Sequence, residues 1–286
     1  MQRTKITQRL PGWFKVRLST NEQYAEVRGR VRRGNLHTVC ESAACPNRNE
    51  CWNAGTATFL ILGSVCTRGC GFCNISRGEP GPADSGEPGR VADAVAALGL
   101  SYAVVTSVTR DDLPDGGAGL FAETISAIRR RSPRCRVEVL VPDFQGSSTS
   151  LATVLGAKPD VLNHNIETVP SLYPRVRPQA DYGRSLRLLA AAKEQGCITK
   201  SGLMLGLGEG MNEVRSVLRD LRAAGCDLLT IGQYLMPHHR AMPVAAYYHP
   251  DEFAALRAEA LAMGFRGVSA GPRVRSSYHA ADNARN

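Results

Sequence analysis

The sequence lacks any apolar run of the roughly 20 residues that a bilayer-spanning helix requires. Residues 1–13 carry Arg3, Lys5 and Arg9 and contain no apolar stretch of the kind found in secretory signals. We therefore expect a cytoplasmic protein without membrane contact. Aromatic residues make up only 6% of the chain, so stacking platforms for nucleic-acid bases are scarce. The net charge of +9 favours an anionic partner, but charge alone does not choose among nucleic acid, membrane and acidic protein.

The chain is also neither short nor dense in cysteine, as secreted disulfide scaffolds are. Its nine cysteines are unevenly distributed, because six lie between residues 40 and 73. Clustered cysteines in a reducing compartment more often hold a metal. The remaining three, Cys135, Cys197 and Cys226, are far apart and are interpreted as small buried hydrophobic residues.

The order of apolar segments predicts the fold. Segments with helical spacing alternate with β-branched runs at residues 58–62, 102–108, 136–141, 161–166, 198–205 and 228–235. This alternation favours parallel strands with right-handed crossovers. Six units are too few for a closed eight-fold barrel, so we predict an α/β protein with a partial (β/α)6 TIM-like barrel. Residues 57–266 would form this barrel, with an N-terminal extension (1–56) and a C-terminal extension (267–286) packed on it.

The second cysteine triad, Cys66, Cys70 and Cys73, follows the first predicted strand. Chemistry in parallel α/β folds lies at this end of the strands. Three thiolates leave one iron of a cubane cluster without a protein ligand, and an open metal position can bind a small molecule. Zinc remains an alternative, although a structural zinc would have to borrow a fourth ligand.

The first triad is Cys40-x4-Cys45-x5-Cys51. Its spacing is not helical, and the segment includes Pro46, Asn47 and Asn49. These features indicate a loop folded around a metal, for which zinc again competes with an iron–sulfur cluster.

Both triads contribute to a resemblance, the second through its spacing and the first through the longer string that contains it. The spacing C-x3-C-x2-C, with Phe72 before the last cysteine, resembles the radical S-adenosylmethionine superfamily. The strings CESAACPNRNEC (residues 40–51), TSVTRDDLPDGGA (106–118), PDVLNHNIETVPSLYPRVRP (159–178), TKSGLMLGLGE (199–209) and RSSYHA (275–280) resemble the lipoyl synthase family. The resemblance extends over roughly residues 36–280.

The resemblance implies a reaction and its cofactors. Two sulfur atoms would be inserted at C6 and C8 of a protein-bound N6-octanoyl-lysine, using S-adenosylmethionine and two 4Fe-4S clusters. Cys66, Cys70 and Cys73 would hold the catalytic cluster. Cys40, Cys45 and Cys51 would hold an auxiliary cluster that donates sulfur and is consumed. A serine of RSSY would be its fourth ligand, and the resemblance favours Ser277 over Ser276, although the sequence itself does not decide.

The resemblance also implies contacts to S-adenosylmethionine. The residues that match superfamily contact positions are Phe72, Asn74, Thr106, Ser107, Glu167 and Met204. A carboxylate such as Glu167 suits a ribose diol, but Glu167 is equally interpretable as a buried partner of Arg110 or Arg175. We further expect Asp111 or Asp112 to cap a helix, and Arg275 to screen the auxiliary cluster or bind the carrier.

The implied partners are octanoylated lipoyl carrier domains, namely the E2 subunits of 2-oxoacid dehydrogenases and the glycine-cleavage H protein. An electron donor such as ferredoxin or flavodoxin and an iron–sulfur cluster carrier would also be needed. Acidic carrier domains would account for the basic charge, so neither nucleic acid nor membrane is expected. One rival interpretation is another sulfur-inserting radical enzyme, acting on a biotin precursor or transfer RNA. The other is a non-catalytic zinc or iron–sulfur protein that binds nucleic acid.

Two segments depart from the family's usual pattern. Gly69 and Gly71 flank Cys70 where larger side chains are common. The string MPHHRAM (residues 236–242) replaces a segment that more often begins Gln-Pro and ends His-Leu.

Overall fold

The computed structural model of the chain describes residues 10–16 and 19–284. The first nine residues of the predicted N-terminal extension lie outside this part. Ten strands occur in the described residues: β1 (His37–Thr38), β2 (Thr58–Ile61), β3 (Val65–Cys66), β4 (Ser76–Arg77), β5 (Tyr102–Ser107), β6 (Arg136–Leu140), β7 (Val161–Asn163), β8 (Thr199–Leu205), β9 (Leu228–Gln233) and β10 (Gly267–Gly271).

Eight of these strands form one sheet in the order β1-β2-β5-β6-β7-β8-β9-β10. From β2 onward each strand is parallel to the next, and β1 adds an antiparallel edge. The short strand β3, which ends at Cys66, pairs with β4, which follows Cys73. This sequential parallel order confirms the predicted α/β partial barrel, and all six predicted strands are present.

The expected number of parallel strands was too small. β10 pairs in parallel register with β9, with Val268 opposite Leu229. Its sequence, Gly-Val-Ser-Ala-Gly, lacks the bulky β-branched run that marks the other strands. The sheet therefore continues past residue 266, and the C-terminal extension begins as part of the sheet.

Helices connect the strands and cover the outside of the sheet. They are α1 (Glu22–Arg33), α2 (Val39–Ser42), α3 (Arg48–Asn53), α4 (Glu87–Ala97), α5 (Ala118–Arg131), α6 (Ser148–Gly156), α7 (Tyr173–Val176), α8 (Tyr182–Glu194), α9 (Met211–Ala223), α10 (Pro250–Ala262) and α11 (Ala280–Asn283). On α9 the buried residues Val214, Val217, Leu218 and Leu221 form one face at helical spacing. Among the described residues, no helix is long and apolar enough to cross a membrane.

The two extensions of the chain bind each other. The side-chain amide of Asn47, just before α3, donates to the carbonyl of Arg273 at 2.7 Å. Glu50 on α3 accepts from the Arg273 guanidinium at 2.8 Å and from the Tyr278 hydroxyl at 2.6 Å. These contacts span more than 220 residues of sequence, and they place the first cysteine triad beside the RSSY segment.

Candidate active site

One cavity of about 570 Å³ opens where the barrel strands end. Cys66, Cys70 and Cys73 line one part of its wall, and Cys45 and Ser277 line another. Most of the remaining lining is apolar. The cavity therefore joins the two cysteine triads through a space with room for a small-molecule cofactor and an alkyl chain.

The loop of residues 66–73 is bound on both sides by neighbouring segments. On one side the Thr67 amide donates to the carbonyl of Thr109 at 3.0 Å. On the other, the Gly71 amide donates to the carbonyl of Val176 at 2.8 Å, and the Met242 amide donates to the Gly71 carbonyl at 2.9 Å. These hydrogen bonds fix the position of the loop between its neighbouring segments.

Backbone amides point at two of the sulfurs in this loop. The amides of Arg68 and Thr109 lie 3.4 and 3.3 Å from Sγ of Cys66, and the amide of Ile75 lies 3.4 Å from Sγ of Cys73. Such donors stabilise negative charge on sulfur. This arrangement fits thiolate ligands of an iron–sulfur cluster.

Burial favours the protonated form of four of the six thiols in the two triads, Cys40, Cys51, Cys70 and Cys73. It raises the pKa of Cys73 to about 12, and it also raises the pKa of Cys70, where nearby Arg177 partly opposes it. In the first triad, burial raises the pKa of Cys40 to about 11 and that of Cys51 to about 12. Metal binding must therefore displace these protons. No group of three His, Cys, Asp or Glu side chains in the described ranges is arranged around a single metal ion.

The first triad surrounds a second, smaller cavity. Cys40 lies on α2, Cys51 lies on α3, and the Cys45 amide between them donates to the Cys40 carbonyl at 3.3 Å. Arg275 and Ser277 from the C-terminal segment complete the wall. All three cysteines and one serine hydroxyl thus share a small space between the two extensions.

The two serines of RSSY have different surroundings. The Ser276 hydroxyl accepts a hydrogen bond from Nδ2 of Asn165 at 2.6 Å. Ser277 lines both cavities, whereas Ser276 lines only the larger one. Of the two, Ser277 is therefore the serine that shares the small cavity with Cys40, Cys45 and Cys51.

The six residues expected to contact S-adenosylmethionine all line the large cavity: Phe72, Asn74, Thr106, Ser107, Glu167 and Met204. Two of their polar groups bind the protein itself. The Thr106 hydroxyl donates to the carbonyl of Leu140 at 2.8 Å. The side-chain amide of Asn74 donates to the carbonyl of Ser42 at 2.9 Å. The buried Ser107 hydroxyl has no hydrogen-bond partner within the described chain and remains available to a ligand.

Glu167 lies at a bend where the chain leaves β7. Its φ of +66° is in the left-handed region, which is uncommon for a residue with a side chain. Its amide and carbonyl bind Gly202 and Met204 on β8 at 2.9 and 2.8 Å. The carboxylate accepts from Asn165 at 3.1 Å. Burial raises the pKa of Glu167, and the Arg177 guanidinium partly opposes this effect.

The ion-pair partners expected for Glu167 are wrong. Arg110 binds Asp112 at 2.7 Å, and Arg175 donates to the carbonyl of Leu207 at 3.1 Å. The cations that act on the Glu167 carboxylate are Arg177 and Arg275. The Arg177 guanidinium is fixed by the carbonyls of Asn165 and Ile166 at 2.9 and 3.1 Å. This arginine lies within the string that carried the resemblance, but nothing in its spacing marked it as a wall residue.

The expected helix cap at residues 111–112 is also wrong. Asp111 binds Arg68, and Asp112 binds Arg110. The next helix, α5, begins only after Gly117, which adopts a left-handed conformation at the N-cap position. Both aspartates are instead engaged by arginines near the second triad.

Two departures from the family pattern are neighbours in space. A Cβ atom added to Gly71 would lie 2.8 Å from Cγ of Met242. Glycine at position 71 therefore leaves the space that the Met242 side chain occupies. Met242 also packs with Phe72 and Met204 in one apolar group.

Similarity to known proteins defines the class to which this protein belongs. A family model of the radical SAM superfamily matches residues 60–221. Among solved structures, HydG, a maturase of the FeFe-hydrogenase, aligns with a TM-score of 0.59 at 12% identity, covering 87% of this chain and 63% of that one. Methylornithine synthase aligns with a TM-score of 0.55 at 15% identity, covering 88% and 72%. The fold and the family model identify a radical S-adenosylmethionine enzyme.

A second family model, the N-terminal domain of lipoyl synthase, matches residues 1–45. Lipoyl synthase of Rubrobacter xylanophilus is 58% identical, covering 94% of this chain and 85% of that protein. Lipoyl synthase of Koribacter versatilis is 55% identical, covering 96% and 91%. The chain belongs to the lipoyl synthase family.

Family membership confirms the expected sulfur-inserting enzyme class and its cofactors, which are S-adenosylmethionine and two 4Fe-4S clusters. It also implies an octanoylated carrier protein as substrate and a reductant. It decides against a non-catalytic zinc protein and against an enzyme acting on biotin precursors or transfer RNA.

Proposed function

We propose that the large cavity is where a protein-bound N6-octanoyl-lysine is converted into lipoyl-lysine. In this proposal Cys66, Cys70 and Cys73 hold the catalytic cluster. The observation that carries the proposal is the shared cavity, whose wall includes that triad together with Cys45 and Ser277.

The cofactors, when bound, supply hydrogen abstraction from unactivated carbon and the sulfur that replaces it. The protein's part is to bind, orient and exclude water. Apolar side chains of Leu60, Val104 and Leu140 line the cavity and suit an octanoyl chain. Holding that chain between the triads would let C6 and C8 face both ends of the cavity.

The polar wall suits S-adenosylmethionine. Three cysteine ligands leave one cluster position for its amino and carboxylate groups. We assign the carboxylate of Glu167, oriented by Asn165 at 3.1 Å, to the ribose hydroxyls. Ser107 offers a free hydroxyl, Phe72 and Met204 offer apolar contact, and Asn74 and Thr106 complete the wall.

Ser277 is the proposed fourth ligand of the auxiliary site formed by Cys40, Cys45 and Cys51. Its hydroxyl must lose a proton to bind iron. An oxygen ligand is harder than the thiolates that iron–sulfur clusters usually take. A ligand of this kind can leave readily, which suits a cluster that is dismantled during turnover.

The proposed division of the chain follows these roles. Residues 1–56 supply the auxiliary cysteines, and the barrel body supplies the S-adenosylmethionine site. The C-terminal extension starts with β10 in the sheet and then brings Ser277 to the first triad. The hydrogen bond from Asn47 to the carbonyl of Arg273 supports this closure.

The proposed carriers are the E2 subunits of 2-oxoacid dehydrogenases and the glycine-cleavage H protein. The charge of +9 supports an acidic partner. Ferredoxin or flavodoxin would reduce the catalytic cluster, and an iron–sulfur carrier would restore the auxiliary one. We propose a cytoplasmic location, with neither nucleic acid nor membrane as a partner.

The test is anaerobic incubation of the reconstituted protein with S-adenosylmethionine, a reductant and an octanoyl-lysine peptide. Mass spectrometry should show a peptide that has gained two sulfurs, together with 5′-deoxyadenosine. Cys66→Ala should abolish both products, whereas Cys135→Ala, a buried cysteine outside both triads, should retain them. An unmodified peptide in the presence of both intact clusters would contradict the proposal.

A further inference from the structure

Arg68 is the one charged residue between Cys66 and Cys70, and its side chain is only 6% exposed. Its Nε and Nη2 atoms donate to the two carboxylate oxygens of Asp111 at 2.6 and 2.8 Å. Nη2 also donates to Oδ1 of Asp143 at 2.6 Å. Two carboxylates therefore bind one buried guanidinium, and the pair with Asp111 is bidentate.

The two aspartates belong to different parts of the barrel. Asp111 lies in the segment after β5, and Asp143 lies after β6. The Asp143 side chain is completely buried and also accepts from Arg184 on α8 at 3.2 Å. An arginine guanidinium is always charged in proteins, and the hydrogen bonds to both aspartates fix its orientation.

We infer that Arg68 is a positioning residue that locks the loop of residues 66–73 to the ends of two barrel strands. Its charge is balanced by Asp111 and Asp143, so its contribution is geometric. The Arg68 amide itself lies 3.4 Å from Sγ of Cys66, and fixing this residue therefore fixes a cysteine ligand. The inference rests on the proposed assignment of Cys66, Cys70 and Cys73 as cluster ligands.

A neighbouring pair provides a matched control. The Arg110 side chain is 3% exposed and binds the carboxylate of Asp112 at 2.7 Å, so it is also a buried arginine in an ion pair. Its other side-chain hydrogen bond is to the carbonyl of Leu62, and within residues 10–16 and 19–284 its side chain has no hydrogen bond to the cysteine loop. Replacing Arg110 should therefore show how much iron release and exchange change when a buried ion pair outside the cysteine loop is broken.

The test uses the full chain with Cys40→Ala, so that released iron comes from the catalytic site. In that background Arg68→Gln should release iron to a chelator about 10- to 100-fold faster, as when groups that orient metal ligands are removed. Arg68→Lys should release iron at an intermediate rate, because lysine keeps the positive charge but lacks the planar guanidinium that binds a carboxylate in bidentate fashion. Arg110→Gln should release iron at nearly the parent rate.

Hydrogen–deuterium exchange on the cluster-free proteins gives a second measurement. Residues 66–73 should exchange faster in Arg68→Gln than in Arg110→Gln. If Arg68→Gln fails to fold, Asp111→Asn and Arg68→Lys serve instead, and both should release iron and exchange faster than the parent, with the smaller effect in Arg68→Lys. Equal iron release and equal exchange in the Arg68 and Arg110 variants would overturn the inference. Cluster formation despite Cys66→Ala would instead overturn the ligand assignment.

Discussion

Asn165 donates from Nδ2 to the hydroxyl of Ser276 at 2.6 Å. The same nitrogen lies 3.1 Å from the carboxylate of Glu167. One amide thus connects the RSSY segment to the wall of the proposed S-adenosylmethionine site. Because Ser276 is engaged there, Ser277 alone of the two serines reaches the small cavity with Cys40, Cys45 and Cys51.

Replacing each serine with alanine should separate these roles. We expect Ser277→Ala to form no sulfur-containing product. It should still cleave S-adenosylmethionine, because the second cysteine triad is unchanged. Ser276→Ala should keep product formation, with a rate reduced by the loss of one hydrogen bond, which is worth about 1 kcal/mol. Product mass and 5′-deoxyadenosine are measured together. Normal lipoyl formation by Ser277→Ala would show that Ser277 is not a required ligand of the auxiliary site.

Glu167→Gln should weaken S-adenosylmethionine binding. A hydrogen bond to a charged group contributes roughly 1.5–3 kcal/mol, so we expect KM for S-adenosylmethionine to rise about 10- to 100-fold. KM for the octanoyl peptide should change little. The control is Glu259→Gln, which removes a carboxylate paired with Arg215 on the helical surface. Equal effects on both KM values would indicate a general disturbance and not a ribose contact.

Lys200 and Glu138 form a completely buried ion pair at 2.8 Å in the sheet. The Tyr102 hydroxyl and the Asn163 amide also bind Glu138, at 2.7 and 3.2 Å. Removing one partner leaves a buried charge, so Lys200→Met should destabilise the protein by about 3–5 kcal/mol. Adding Glu138→Gln should recover part of this loss in urea unfolding. A double variant less stable than Lys200→Met would contradict the pairing.

Asp143 should make stability depend on acid pH. Burial would raise its pKa, but Arg68 outweighs this effect and lowers the value to about 2. A carboxyl with a depressed folded-state pKa stabilises the protein above its unfolded pKa of about 4 and loses this contribution as the pH falls toward 2. The shift corresponds to roughly 2 kcal/mol.

The measurement is urea unfolding of the cluster-free protein near pH 5.5 and pH 3. Asp143→Asn should be less stable than the parent at the higher pH, and the difference should shrink at the lower pH. Parallel loss of stability in both proteins would assign the acid dependence to other carboxyls.

Sequence patterns predicted the features that depend on periodicity and spacing. The β-branched runs located the six central strands, and Cys66, Cys70 and Cys73 marked the end of the barrel where the cavity opens. The pattern failed where structure depends on small residues or on distant pairing. β10 was missed because a Gly-Val-Ser-Ala-Gly strand has little apolar bulk, and Gly232 on β9 lies opposite it, close to the carbonyl of Val274.

Long-range polar contacts could not be predicted from the sequence for a related reason. Arg68 binds Asp143, which is 75 residues away, and Glu50 binds Arg273, which is 223 residues away. Nothing in local spacing specifies which charged side chain a buried arginine will meet, so Glu167 was given the wrong arginines. The hydrogen bond between Asn165 and Ser276 likewise joins residues 111 positions apart and could not be read from local spacing.

The central claim is that the two triads divide the work, with the first supplying sulfur and the second enabling hydrogen abstraction. It is tested most directly by reconstituting the protein with heavy-isotope sulfide and running a single turnover in buffer that contains light sulfide. We expect a peptide that carries two heavy sulfurs. Cys40→Ala should form no sulfur-containing product and should still cleave S-adenosylmethionine. A product carrying only light sulfur, or a heavy product from Cys40→Ala, would contradict it.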